Sequence, residues 1–346
     1  MSATIEDVAG RAGVSVATVS RALRGLPNVA PSTRERVTAA ARDLHYVADP
    51  AASRLAGGRG LSVGIVVASL ARWYDGQLLA GAEAELLGLD SAAGYELLPF
   101  SSGAIGGLDG FLEARPFRKR VEGLIVADGP LSDGQVDRIA EAGVALTTVG
   151  FLHEVAPGLT IDQAAAATSG VAHLRALGHR RVAWMGPVDH HGLGFTPSAE
   201  RLRGYLAGRE EGGLDADPGL VVPAELSPRG GAEAVRRLLE LPTPPTGLVA
   251  CSDELAIGAM QAARDAGFRV PGELSIVGID DHDVSEYVGL TTIGQDVRAQ
   301  GARAVQLLLA YLSEGTAEVV HEIVPTRLLV RRTTGPVRPG ATSPTP

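Results

Sequence analysis

The chain has 346 residues, 45% of them hydrophobic and 21% charged, which is too long for one small core and ordinary for a globular protein of two or three domains. A single cysteine, Cys251, excludes a disulfide framework and fits a reducing cytoplasm; no secretory leader and no membrane-spanning apolar run is readable. The net charge of −9 argues against a nucleic-acid binder until it is divided, because residues 1–60 hold eight arginines against five acidic residues and the remainder is strongly acidic.

Ile5, Val8, Ala9 and Ala12 recur at helical spacing and predict a first helix with one buried face. Thr4 stands at its N-cap, with Asp7 in capping-box position, and Gly13 permits a sharp turn. Ser15 is predicted to cap a second helix over 16–24, whose Val19 and Leu23 face inward. That leaves Val16, Ala17, Ser20 and Arg21 exposed near its start, the part that a helix-turn-helix presents to base edges. A third helix is predicted after Pro31, with Ser32 and Glu35 as a second capping box and Val37, Ala40, Ala41 and Leu44 as its stripe.

These residues resemble the headpiece of the LacI/GalR transcriptional regulators. Thr4-Ile5-Glu6-Asp7-Val8-Ala9, Ala12-Gly13-Val14-Ser15 and Thr18-Val19-Ser20-Arg21 match it in register, as do Thr33-Arg34-Glu35-Arg36-Val37 and Leu44-His45-Tyr46. The resemblance implies DNA contacts by Thr4, Ser15, Val16, Ala17, Thr18, Ser20, Arg21, Asn28 and Arg34. Val16 and Ala17 suit thymine methyls or close approach; Arg21 suits guanine or phosphate. It also implies a hinge helix within 49–60 whose Leu55 wedges between base pairs from the minor groove. Without the resemblance, Pro50 to the glycine-rich Gly57-Gly58-Arg59-Gly60 reads as a plain linker. Asp49 and Ser53 depart from the asparagine and arginine usual at those places.

Short apolar runs at 63–68, 96–100, 123–127, 145–149, 181–185, 247–250 and 274–278 alternate with helical stretches at 163–177, 199–209, 230–239, 253–266 and 296–313. The alternation predicts an α/β fold with parallel sheets in two lobes. This body also resembles the LacI/GalR family, through Leu177-Gly178-His179-Arg180-Arg181, Arg201-Leu202-Arg203-Gly204-Tyr205, Ser252-Asp253-Glu254-Leu255-Ala256, Val270-Pro271-Gly272-Glu273 and Leu290-Thr291-Thr292-Ile293. The implied fold is a three-helix headpiece followed by periplasmic-binding-protein-like lobes around a cleft. The expected division is headpiece 1–48, hinge and linker 49–60, first lobe 61–159 with 291–318, and second lobe 160–290 with 319–333. A disordered tail is expected over 334–346.

Ligands of parallel sheets bind beyond the carboxyl ends of the strands. The resemblance places Arg201 and Asp280 there as effector contacts. A guanidinium holds two oxygens and a carboxylate accepts hydroxyl protons, so the pair suits a sugar; the alternative is a structural ion pair. Ser252 stands where the family often has a ligand-binding asparagine. Asp253 reads as the N-cap of helix 253–266 or as a ligand. Trp73 or Tyr74 offers a ring face to a sugar or fills the lobe core; Leu226, where some relatives place an aromatic, favours Trp73 as a platform. Asp128 reaches the cleft or serves a turn beside Gly129-Pro130, and Val288-Gly289 replace the usual Pro-Pro.

There is no Gly-x-Ser-x-Gly elbow, Walker loop or Cys-x-x-Cys, and the glycine-rich 103–110 lacks dinucleotide spacing. His190-His191 has no other histidine or cysteine nearby in sequence. No catalytic constellation, cofactor or metal is expected. The reading is a cytoplasmic repressor that binds a pseudo-palindromic double-stranded DNA operator as a homodimer and answers a small polar effector. Two rivals are a cytoplasmic sugar-binding receptor without DNA function, opposed by the headpiece, and a Rossmann-like enzyme, opposed by the missing cofactor fingerprint.

Overall fold

A computed structural model describes residues 3–23, 29–44, 46, 62–89, 95–127, 129–187, 196–314 and 319–337. Asn28, Leu55, Asp128, His190-His191 and the expected hinge helix lie outside the described residues.

The N-terminal unit consists of α1 (Ile5–Ala12), α2 (Val16–Leu23) and α3 (Pro31–Asp43). Thr4 and Asp7 cap α1 reciprocally: the Asp7 N–H donates to Thr4 Oγ1 at 3.3 Å and the Thr4 N–H to Asp7 Oδ2 at 2.8 Å. Gly13 closes the helix at φ 66°, where a side chain would be strained. Val8, Val19 and Val37, one from each helix, are fully buried together. The box expected at Ser32 and Glu35 does not form. Pro31 is already helical, with Ala30 as the N-cap, because its fixed φ and missing N–H suit the first helical position.

The first lobe holds β1 (Ser62–Val67), α4 (Trp73–Gly88), β2 (Glu96–Ser101), α5 (Gly107–Ala114), β3 (Gly123–Val126), α6 (Asp133–Glu141), β4 (Ala145–Val149) and β5 (Gly158–Ile161). The second holds α7 (Gln163–Ala176), β6 (Val182–Gly186), α8 (Pro197–Glu211), β7 (Val221–Pro223), α9 (Pro228–Leu239), β8 (Gly247–Ala250), α10 (Asp253–Asp265), β9 (Ser275–Asp280), α11 (Ser285–Val288) and β10 (Thr291–Gly294). The chain then returns for α12 (Val297–Glu314) and β11 (His321–Val324), and crosses again to β12 (Arg327–Leu329). The sheets run β11-β5-β4-β3-β1-β2 and β12-β10-β9-β8-β6-β7, and every pairing is parallel except β10 with β12. Helices cover both faces of such sheets, so their central strands are buried on both sides and mostly apolar; all six residues of β1 are buried.

Three expected boundaries differ. Residues 291–294 were placed in the first lobe, but they pair with β9 in the second sheet. Residues 321–324 were placed in the second lobe, but they pair with β5 in the first. Lobe membership of such short strands is decided by backbone pairing, which their own sequence does not announce. Residues 334–337, expected to be disordered, pack on the second lobe: the Gly335 N–H donates to Ser275 Oγ at 3.1 Å, and the Val337 N–H to the Leu177 carbonyl at 3.1 Å.

The placement of α4 depends on α12. A Cβ on Gly81 would run into the Arg298 carbonyl, and one on Gly301 into the Leu78 carbonyl, so the two helices touch backbone to backbone. Gly301→Ala is expected to destabilise the first lobe by about 1–3 kcal/mol through overpacking, despite alanine's better helix propensity. Chemical denaturation followed by circular dichroism measures it; a midpoint at or above the wild-type value would show that the helices are not in contact.

Candidate DNA-reading surface and interlobe site

On α2, Val16, Ala17 and Arg21 are exposed while Val19 and Ala22 are buried. The outward face is therefore the one predicted from spacing. Ser15 starts the helix: its Oγ accepts the Thr18 N–H at 3.2 Å and lies 2.9 Å from Thr18 Oγ1. Thr4 is exposed at the start of α1, Ser20 is half-buried, and Arg34 is half-buried on α3.

Between the lobes, Arg201 and Asp280 form a buried ion pair at 3.3 Å. Arg201 lies on α8, one turn into the helix after β6, and Asp280 is the last residue of β9. The Arg201 guanidinium also donates from Nε to Gln163 Oε1 at 2.7 Å and from Nη1 to the Cys251 carbonyl at 2.5 Å. Asp280 Oδ1 accepts from Gln295 Nε2 at 2.7 Å, and Gln295 Oε1 from Gln300 Nε2 at 3.0 Å. Burial is the largest influence on Asp280 and raises its carboxyl above the ordinary range, against the pull of Arg201 and Gln295. Burial is also the largest single influence on Arg201 and disfavours its charge, but Asp280 together with Cys251 and Tyr74 outweighs it and the guanidinium stays protonated. Asp280 and Asp281 hold φ of 131° and 62°, costly for residues other than glycine. Arg331 Nη2 donates to Asp281 Oδ1 at 2.7 Å and fixes that turn.

Gln163 and Gln295 were not singled out from sequence. Each sits where the chain passes between lobes, Gln163 as the first residue of α7, two after the end of β5, and Gln295 directly after β10. A glutamine in a polar stretch carries no spacing signal; its place at a crossover does.

Trp73 packs at the edge of the first-lobe core, one of the two roles weighed for it, and also reaches across to the second lobe. Its ring stacks on His282 of the second lobe, centroids 4.7 Å apart at 25°, and its Nε1–H donates to Asp283 Oδ2 at 3.0 Å. Gln77 Nε2 donates to the same oxygen at 3.0 Å. Tyr74 lies deeper. Its hydroxyl lies near Arg201 and Asp280 electrostatically and has no hydrogen-bond partner among the described residues, and burial raises its pKa. Ser252 is the N-cap of α10, accepting the Leu255 N–H at 3.4 Å; Asp253, expected as the cap, is instead its first helical residue. Asp253 is fully buried and accepts from Thr292 Oγ1 at 2.6 Å, Ser285 Oγ at 2.6 Å and the His282 N–H at 2.9 Å. Both its oxygens are thus taken by the protein. Among the described residues no cluster of histidine, cysteine or acidic side chains is placed to hold a metal, and no helix is long and apolar enough to cross a membrane.

A three-helix reading head followed by two doubly wound lobes defines a ligand-responsive transcription regulator. Comparison with known proteins agrees. Residues 4–49 match the model of bacterial regulatory proteins of the lacI family, and residues 171–334 that of the periplasmic binding protein-like domain. The catabolite control protein A of Priestia megaterium is 30% identical over 96% of this chain and 100% of its own length. A solved lac repressor dimer, bound to operator and the anti-inducer ONPF, superposes with a TM-score of 0.81 at 30% identity, covering 97% of this chain and 100% of that one. A transcriptional regulator CelR–cellobiose complex superposes with a TM-score of 0.69 at 26% identity, covering 96% and 99%. The chain belongs to the LacI family of bacterial transcription regulators.

Asp253 generates a pH prediction. Burial, then the neighbouring Asp280 charge, raises its pKa to about 7, against the three donors that lower it. Below about pH 4 the group is protonated folded and unfolded alike. Between about 4 and 7 only the unfolded chain has lost the proton, so stability falls as pH rises through this window and is then level. Asp253→Asn is expected to remove that slope, and to cost about 1–3 kcal/mol by turning an amide donor toward a donor. Urea denaturation at a series of pH values reads both; an unchanged slope in the variant assigns it to another group.

Proposed function

We propose that this regulator is a cytoplasmic repressor without catalytic activity. It reads a pseudo-palindromic operator as a homodimer and changes its DNA affinity when a small, polyhydroxylated effector, a sugar in the simplest case, enters between the lobes. The outward face of α2, with Val16, Ala17 and Arg21 exposed on a capped helix, carries this reading. Support for the dimer and the operator comes from the solved lac repressor, and support for a sugar from the CelR–cellobiose complex.

Arg21 would meet guanine or phosphate, with Ser20 beside it, Val16 and Ala17 would approach thymine methyls, and Thr4, Ser15, Thr18 and Arg34 would set the head on the backbone. Asn28 and Leu55 keep the DNA roles that the family resemblance assigns them. In the effector site, the Tyr74 hydroxyl and the Arg201–Asp280 pair would meet hydroxyls, with Ser252 at the carboxyl end of β8; Asp128 keeps the effector role that its sequence position suggests. Trp73 and Asp253 would serve that site indirectly, by holding the lobes and the 282–285 loop. Ligand binding that favours one lobe arrangement then biases the head through a population shift.

The test begins with an operator selected from random DNA and an effector selected from mono- and disaccharides, sugar acids and sugar phosphates by relief of that binding. Arg21→Ala is expected to weaken operator binding roughly ten- to a hundredfold in an electrophoretic shift, as for a lost base or phosphate contact. Tyr74→Phe removes a hydroxyl that has no hydrogen-bond partner among the described residues. It is expected to keep the fold and operator affinity while requiring roughly two- to tenfold more effector. Full operator affinity in Arg21→Ala would remove α2 as the reading helix; an unaltered effector response in Tyr74→Phe would move the effector elsewhere.

A further inference from the structure

Arg72 precedes α4 at the carboxyl end of β1, where the strand order of the first sheet reverses. Its Nε is buried and, among the described residues, has no hydrogen-bond partner, and its guanidinium has no ion pair there. The next residue, Trp73, touches His282 and Asp283 of the second lobe, so this turn faces the opposite lobe, and the Arg72 charge acts on the Tyr74 phenol and the Asp280 carboxylate there. The other groups are committed. Arg201 donates to Gln163, Cys251 and Asp280, and Asp280 accepts from Arg201 and Gln295. Asp75, in the first turn of α4, is buried and accepts the Ser69 N–H at 3.1 Å.

A buried charged donor left unsatisfied is destabilising, and native structures rarely keep one that no ligand uses. The planar fork of a guanidinium matches a carboxylate or a phosphate, and the positive end of the α4 dipole adds to the attraction. A neutral sugar would leave this charge without a counter-ion. We propose that Arg72 is a specificity-determining residue that anchors an anionic group of a polyhydroxylated effector, while Tyr74 and the Arg201–Asp280 pair meet its hydroxyls. This rests on the interlobe effector reading above. The shared chemistry is an oxyanion on a polyol, present both in sugar acids and in sugar phosphates.

The experiment uses the full chain at constant ionic strength, with D-glucuronate, D-glucose 6-phosphate, inorganic phosphate and D-glucose as probes, read by thermal melting and titration calorimetry. At least one anion is expected to bind wild type roughly ten- to a hundredfold more tightly than Arg72→Gln, as for a lost charge-assisted hydrogen bond. Arg72→Lys should fall between them, because it keeps the charge and loses the fork. Preference for glucose 6-phosphate over glucuronate assigns a phosphate, and the reverse a carboxylate. Equal anion binding in wild type and Arg72→Gln overturns the proposal, as does the absence of any anion response. Binding of glucose alone, weakened by Tyr74→Phe and untouched by Arg72→Gln, overturns the anionic anchor while leaving the interlobe reading standing. A second variant guards against a merely structural role. Without ligand, Arg72→Met should melt at or above the wild-type temperature, since it removes an unpartnered buried donor; a markedly lower melting temperature makes Arg72 a structural cation and ends the proposal.

Discussion

The buried pair of Arg201 and Asp280 organises the molecule between the lobes. Two charges taken out of water are tolerable only when each is hydrogen-bonded beyond its partner. Here the additional partners are Gln163 for the guanidinium and Gln295 for the carboxylate, both at chain crossovers. The pair is thus bonded to the segments by which the chain crosses between the lobes. Gln300 on α12 extends the chain of hydrogen bonds into the first lobe. A ligand that alters the pair therefore alters the crossovers by direct contact, with no long relay.

The other side of the cleft is set by helix packing. Gly81 and Gly301 let α4 and α12 touch through their backbones, which fixes where α4 begins. Three consecutive residues at that point take different tasks: Arg72 has a buried Nε and Tyr74 a hydroxyl without a hydrogen-bond partner among the described residues, while Trp73 spans to His282 and Asp283. Movement of the lobes must unstack Trp73 from His282 and release Asp283, so this contact favours one arrangement. An equilibrium of that kind between discrete packings is what an effector biases.

Local signals in the sequence were legible wherever neighbours in the chain are also neighbours in space. The Thr4–Asp7 cap, the Gly13 turn and the outward set Val16, Ala17 and Arg21 all depend on spacings of three or four residues. The buried strands β1, β3, β6, β8 and β9 were legible as apolar runs for the same reason. Helix α4 is not legible in the sequence, because its apolar residues run around it without a clean stripe and its buried face includes Asp75 and Gly81. Strands β5, β7, β10, β11 and β12, of three or four residues each, were missed because strands so short acquire their identity from the partner they pair with.

By itself the sequence determined the three-helix head, its reading face, the α/β body in two lobes and, through family motifs, Arg201 and Asp280 as a pair of interest. These are consequences of helical period, apolar runs and motif identity, all local in the chain. Only the tertiary structure decided the lobe membership of residues 291–294 and 321–324, the packing of 334–337, the bridging role of Trp73 and the structural commitment of Asp253. It alone brought Gln163, Gln295 and Arg72 to the same cleft. Each of these is a contact between segments distant in sequence, and such contacts are settled by pairing and burial that no window of the chain contains.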